Sequence, residues 1–236
     1  MKRKIYLAVA ITLLCIFFLF TALVLTVDLQ AIGPEESKVG FATMNGAFKN
    51  AISGLADTNE GYSKILYDVS DLIGFAPLLM ALGFAILGLC QAIKRKSVFK
   101  VDSEILILGA FYVVVLMTYV AFEIIPPINY RPVLIEGKRE TSYPSSHTML
   151  AICLCTTAIF ELSRLLRKKK ALMIIADVLC GAIGVAILVG RLLSGVHWLS
   201  DIIAGVLISA ALVCFYRFAV LLVQNIKAKR KIQQND

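Results

Sequence analysis

Ile5–Val27 reads IYLAVAITLLCIFFLFTALVLTV, about 23 residues without a single charge. A helix of about 20 apolar residues spans the hydrocarbon layer of a bilayer, so this run is expected to be a membrane span. Lys2, Arg3 and Lys4 precede it. A secretion signal begins the same way, but its apolar stretch is shorter and ends at a small-residue cleavage site. No clear site of that kind follows Val27, and the run is expected to stay as an uncleaved anchor.

Five further apolar runs follow the first. They are Leu72–Ile93, Ile105–Ile125, about Ser146–Leu166, Ala171–Gly190 and about Trp198–Val223. Backbone polar groups find no partner in lipid, so runs of this length are expected to be helices. A strand barrel needs in–out alternation, which these runs lack. The whole composition agrees: 59% of the 236 residues are hydrophobic, 17% are charged, and the mean hydropathy is +0.82. A soluble domain has too much surface to cover to carry that balance. The expected fold is therefore all-α: one polytopic domain, residues 1–236, with six transmembrane helices. The six cysteines each lie inside an apolar run without a CxxC pair, as small packing residues do.

The basic residues orient these spans. Seventeen of the 24 Lys and Arg fall at the N-terminus, in 94–100, in 164–170 and from Arg217 onward; seven fall in the other connections. The two sets alternate with six spans. By the positive-inside bias the richer set is cytoplasmic, and both termini with it. Segments 28–71, 126–145 and 191–197 then face outward. The net charge of +8 is spread between apolar runs and not over one soluble face, which argues against a nucleic-acid partner. Within 28–71, which also carries Asp57, Glu60, Asp68 and Asp71, the spacing of Phe41, Met44, Phe48, Ile52 and Leu55 predicts a helix. It either lies at the membrane interface or caps the bundle.

Both histidines, His147 and His197, fall at outer borders, each in a polar cluster. His197 and Asp201 are four apart at a helix start, hence on one face. A carboxylate there can fix one ring nitrogen and leave the other as a nucleophile. Arg191, just upstream, can offer a forked cation to an oxyanion. The plainer reading is a snorkelling arginine beside an interfacial His–Asp pair. Tyr143-Pro144-Ser145-Ser146-His147-Thr148 reads as a helix entrance with Ser145 or Ser146 as the cap. The open N–H groups of such an end suit a phosphate, and His147 would stand beside it as proton donor. An ordinary capped helix is the alternative. Asn129-Tyr130-Arg131-Pro132 adds a third outer cluster with one more cation. Fixed positive charge, an open helix end and two imidazoles on one side of a membrane together describe phosphoryl transfer.

These residues resemble the type 2 phosphatidic acid phosphatase family, whose motifs are Lys-x6-Arg-Pro, Pro-Ser-Gly-His and Ser-Arg-x5-His-x3-Asp. Arg131-Pro132 matches the end of the first. Pro144-Ser145-Ser146-His147 matches the second, with Ser146 for Gly, and Arg191, His197 and Asp201 match the third, with Gly190 for Ser. The resemblance covers about residues 100–220. It implies that His197 attacks phosphorus, Asp201 orients it, and His147 protonates the leaving group and then activates water. It also implies that Arg131, Arg191, Ser145 and Ser146 hold the phosphate, with no metal and no cofactor. The family lysine falls at Ile124, beside Glu123. Lys138 and Arg139, in the same outer segment, are the candidates to replace it.

The expected function is a lipid phosphatase of the cell membrane with an extracytoplasmic site. Its substrate would be a lipid phosphomonoester or diphosphate of the undecaprenyl diphosphate, phosphatidylglycerol phosphate or phosphatidic acid type. A lipid phosphotransferase and a catalytically impaired, lipid-binding family member are the alternatives. A transporter would show repeats or helices broken at the midplane, which the sequence lacks. Glu123 is expected to orient an arginine, and Asp177 to pair with an inner basic residue.

Overall fold

The computed structural model describes residues 2–57 and 61–234, so Glu60 lies outside the described residues. Seven α-helices follow one another: α1 (Lys2–Thr26), α2 (Ala42–Ile52), α3 (Lys64–Lys94), α4 (Ser103–Ile124), α5 (Ser146–Leu165), α6 (Lys170–Leu193) and α7 (Leu199–Gln233). All but α2 are long and apolar enough to cross a membrane. The six expected spans are thus present as helices. No strand occurs among the described residues.

Two boundaries differ most: α7 continues to Gln233, well past Val223, and α3 begins about two turns before the apolar run at Leu72. Its polar first turns hold together locally. Asp57 accepts the N–H of Lys64 at 2.9 Å, and Lys64 pairs with Asp68 at 3.2 Å. Asp68 and Asp71, expected in a loop, therefore ride on a helix.

Burial shows which helix is central. Half of the apolar window of α5 is buried, against 11% for α3 and for α6. Small side chains let its neighbours come close: Ala151, Cys153, Cys155 and Ala158 on α5, and Ala204 and Ala211 on α7, are all buried. Gly205 of α7 marks a close approach to the start of α5. A Cβ there would stand 3.0 Å from the Ser145 carbonyl oxygen. Phe17, Leu108, Met149, Ile208 and Tyr216 tie α1, α4, α5 and α7 into one core. Leu72, Leu79, Met117 and Val178 stay exposed on the helix flanks, as a lipid-facing surface requires.

The two ends are built differently. At the end that carries connections 94–100 and 164–170, buried Glu161 accepts from Tyr216 Oη and Arg164 Nε, each at 2.8 Å, and Arg95 pairs with Asp102 at 2.8 Å. The Arg95 guanidinium holds the Asp102 carboxyl below its usual value. Asp177 accepts from Ser163 Oγ at 2.7 Å, so its partner is a hydroxyl of α5 and not the expected basic residue.

At the opposite end α2 lies over the start of α7. Asn45 gives its amide N–H to Ser200 Oγ at 3.0 Å and accepts the Ser200 N–H at 3.1 Å. Lys49 donates to the Pro132 carbonyl at 2.7 Å. These contacts seat α2 on the bundle.

Candidate active site

The α6–α7 connection carries one half of the site. Ser194 closes the end of α6 by donating its N–H to Gly190 O at 2.9 Å, and Gly195 turns the chain at φ +79°. Positive φ is easy only for glycine. The turn delivers His197 directly before α7. Asp201, fully buried in the first turn of α7, accepts the Trp198 N–H at 3.0 Å on one carboxylate oxygen. Its other oxygen accepts the side-chain amide of Asn129 at 2.9 Å. His197 Nδ1 stands 3.7 Å from Asp201 Oδ2, in electrostatic contact but outside hydrogen-bond range. Burial pushes the His197 imidazole below its ordinary pKa, with Asp201 opposing. Its Nε2 is buried without a partner.

The start of α5 carries the other half. Ser145 is the N-cap. Its hydroxyl accepts the Thr148 N–H at 3.4 Å and its own N–H is given to Asp201 O at 3.0 Å. Ser145 is thus spent inside the fold, and it is Ser146 that faces the cavity. His147 follows, with Nε2 3.1 Å from Asp71 Oδ1 and Nδ1 buried without a partner.

Arg131 reaches the same space from the α4–α5 connection. That loop is pinched by pairing of Arg131 N–H with Glu140 O at 2.9 Å and of Ser142 N–H with Asn129 O at 3.0 Å. The Arg131 guanidinium pairs with Glu140 at 3.0 Å. Trp198 binds the loop from the far side, donating its indole N–H to Tyr130 O at 2.8 Å.

Together these elements enclose a cavity of about 330 Å³ lined by Arg131, Glu140, Tyr143, Ser146, His147 and His197 among others. The two imidazoles, 50 positions apart in sequence, share one space. A second, narrower hollow of about 120 Å³ lies on the other side of His147, walled by Asp71, Phe75, Leu78, Leu150 and Ile187. Arg191, expected to hold phosphate, is fully buried and does not line the cavity of the imidazoles. Its Nη2 lies on Asp71, and its guanidinium is 4.9 Å from the centre of the Tyr67 ring.

Several residues sit elsewhere than expected. Arg139 pairs with Glu35 at 3.4 Å and stacks on Tyr130, Lys138 is exposed, and neither lines the cavity. Ile124 is 77% exposed on the outside of α4. Glu123 lines the cavity, but the carboxylate that holds an arginine there is Glu140. Sequence reasoning missed Asp71 and Tyr67, four apart on one face of α3. Their only local signal was an acid close to the outer end of a span.

Comparison with known proteins fits this geometry. The PAP2 superfamily model matches residues 110–224, a stretch that holds all three motifs. The family resemblance read from those motifs is thereby borne out. Among solved structures, the chain is similar to the crystal structure of the first transmembrane PAP2 type phosphatidylglycerolphosphate phosphatase from Bacillus subtilis. The likeness has a TM-score of 0.53 at 18% identity and covers 91% of this chain and 96% of that one. It is a likeness of fold. No curated protein matches the sequence.

Proposed function

We propose that this chain is an integral membrane phosphatase that hydrolyses a lipid phosphomonoester or diphosphate through a phosphohistidine. One observation carries the reading: His147 and His197, brought from two different elements, line one cavity with Arg131. The PAP2 match over the same residues supports it.

Substrate phosphate enters the cavity against Arg131 and the first turn of α5, where cation and helix end both favour an anion. His197 Nε2 attacks phosphorus. The N–P bond forms, the bond to the leaving oxygen breaks, and His147 gives that oxygen a proton. Asp201, behind the ring, stabilises the positive charge that the imidazole gains. His147, now neutral, takes a proton from water as the water attacks phosphorus. The N–P bond then breaks and phosphate leaves.

The site is assigned to the extracytoplasmic face. Supporting this, the lysine- and arginine-rich connections 94–100 and 164–170 join the helix ends opposite the cavity. A lipid phosphate can reach that depth from the side with its chains still in the bilayer. Phosphatidic acid, phosphatidylglycerol phosphate and undecaprenyl diphosphate are the substrates to test.

The test is phosphate release by purified protein from these three lipids without added metal. Release that disappears in His197→Ala, with the protein still folded in detergent, is the expected result. An active, folded His197→Ala protein removes the nucleophile, and a wild-type protein inert towards all three removes the phosphatase reading.

A further inference from the structure

The family pattern has serine before the arginine of its third motif, whereas this chain has Gly190. The structure supplies a physical reason. A Cβ at position 190 would lie 2.7 Å from Ser70 Cβ and 3.4 Å from Ser70 Oγ on α3. Real side chains do not approach that closely, so with any larger residue at 190 α3 must move away. The residues that follow these two in sequence are Arg191 and Asp71, and they touch. The departure from the motif and the presence of a carboxylate at the site are therefore one structural feature.

Asp71 Oδ1 meets two groups at once, Arg191 Nη2 and His147 Nε2, the latter at 3.1 Å. Gly74, one turn further along α3, lies beside the ring: a Cβ there would be 3.5 Å from His147 Cδ2, an ordinary contact distance. We propose that Asp71 is a positioning residue for the proton-transfer histidine. Its carboxylate binds Nε2–H of His147 and braces the ring against Arg191, so that Nδ1 is the atom that exchanges protons with the substrate. The assignment rests on the phosphatase reading above. It gives the buried, unpartnered Nδ1 its task. In the first step Nδ1–H goes to the leaving oxygen. In the second, the Nδ1 lone pair takes a proton from the attacking water, and Nε2–H stays on Asp71 throughout.

Two histidines in the whole chain make the test direct. Protein labelled with 15N-histidine has two ring systems, and His197→Gln identifies that of His147. A slowly exchanging proton on His147 Nε2 is expected in the wild type and its loss in Asp71→Ala, with the His197 ring unchanged. Kinetically, Asp71→Asn is expected to lower kcat on an alkyl lipid phosphate by about 10- to 100-fold, as loss of an oriented acid–base group does. KM should change by less than about threefold, since binding is not what the contact serves. An aryl phosphate, whose leaving oxygen needs little protonation, should lose much less, and Asp71→Glu should recover part of the rate.

Equal losses on both substrates, or no protected Nε2 proton in the wild type, overturn the proposal. Wild-type protein that releases no phosphate overturns the phosphatase reading instead, and the resonance experiment still decides whether Asp71 holds His147. If Asp71→Asn does not fold, Asp71→Ser, small and uncharged, is put through the same two measurements.

Discussion

Asn129 gives its side-chain amide to Asp201 Oδ1 at 2.9 Å, across 72 positions of sequence. The bond ties the loop that carries Arg131 to the carboxylate behind His197, so two parts of the site share one fixed point. Replacing Asn129 by Leu leaves a buried carboxylate oxygen without its donor. A cost of about 2 kcal/mol in stability is expected, with kcat lower by roughly 10- to 30-fold. Thermal unfolding and phosphate release check the two effects. An unchanged kcat would show that Asp201 keeps its aim without Asn129.

The pH dependence follows from the burial of His197. The neutral ring is the nucleophile, so the acid limb of kcat/KM belongs to His197 and activity is lost as pH falls through its folded pKa, while the need for a proton on His147 sets a separate basic limb. Burial pushes the His197 value below the ordinary 6.5. The acid limb of kcat/KM should therefore lie below pH 6.5. Asp201 favours the charged ring, so Asp201→Asn should move the limb further to acid while lowering kcat. A wild-type limb above pH 7 contradicts this assignment.

Glu140 occupies the guanidinium of Arg131 at 3.0 Å, and its own side chain is 43% exposed. Substrate phosphate has to compete with it. Half-exposed ion pairs contribute at most about 1 kcal/mol, so Glu140→Gln should lower KM by about two- to fivefold with little change in kcat. Arg131→Ala should raise KM instead. A KM that rises in Glu140→Gln would mean that the pair aligns Arg131 more than it blocks it.

Lys138 and Arg139 stand outside the cavity. Lys138→Ala and Arg139→Ala should each leave kcat/KM within about twofold of wild type, as surface changes away from a site usually do. A larger loss in either would restore that residue as the replacement for the family lysine.

Lys49 braces the site end of the bundle by its bond to the Pro132 carbonyl, and its ammonium stands 5.5 Å from the centre of the Trp198 ring. Burial pulls the Lys49 ammonium below its ordinary pKa. Lys49→Met keeps the packing and removes the donor. The expected result is a loss of about 1–2 kcal/mol in stability and a higher KM, because Pro132 adjoins Arg131. Unfolding midpoints and steady-state kinetics measure both.

The membrane character, the six spans and the pairing of His197 with Asp201 were legible in the chain alone, and the family motifs added His147. Each is local: a run of apolar residues is solvated by lipid whatever its neighbours do, and residues four apart on a helix share a face. The motif spacings likewise placed Arg131 and Arg191 close to the imidazoles. Which carboxylates hold those cations was not legible. Asp71 is 120 positions from Arg191, and Glu140 looked no different from Glu123 or Glu35 as an acid near an outer border. The pairings depend on which helix faces meet, and a hydrogen at Gly190 in place of a methyl group decides how near α3 comes. The seat of α2 was not legible for the same reason, since Asn45 and Lys49 find their partners on other elements. Solvation by lipid acts on each segment separately and can be read residue by residue, whereas the electrostatic partners of the site exist only once the helices have packed.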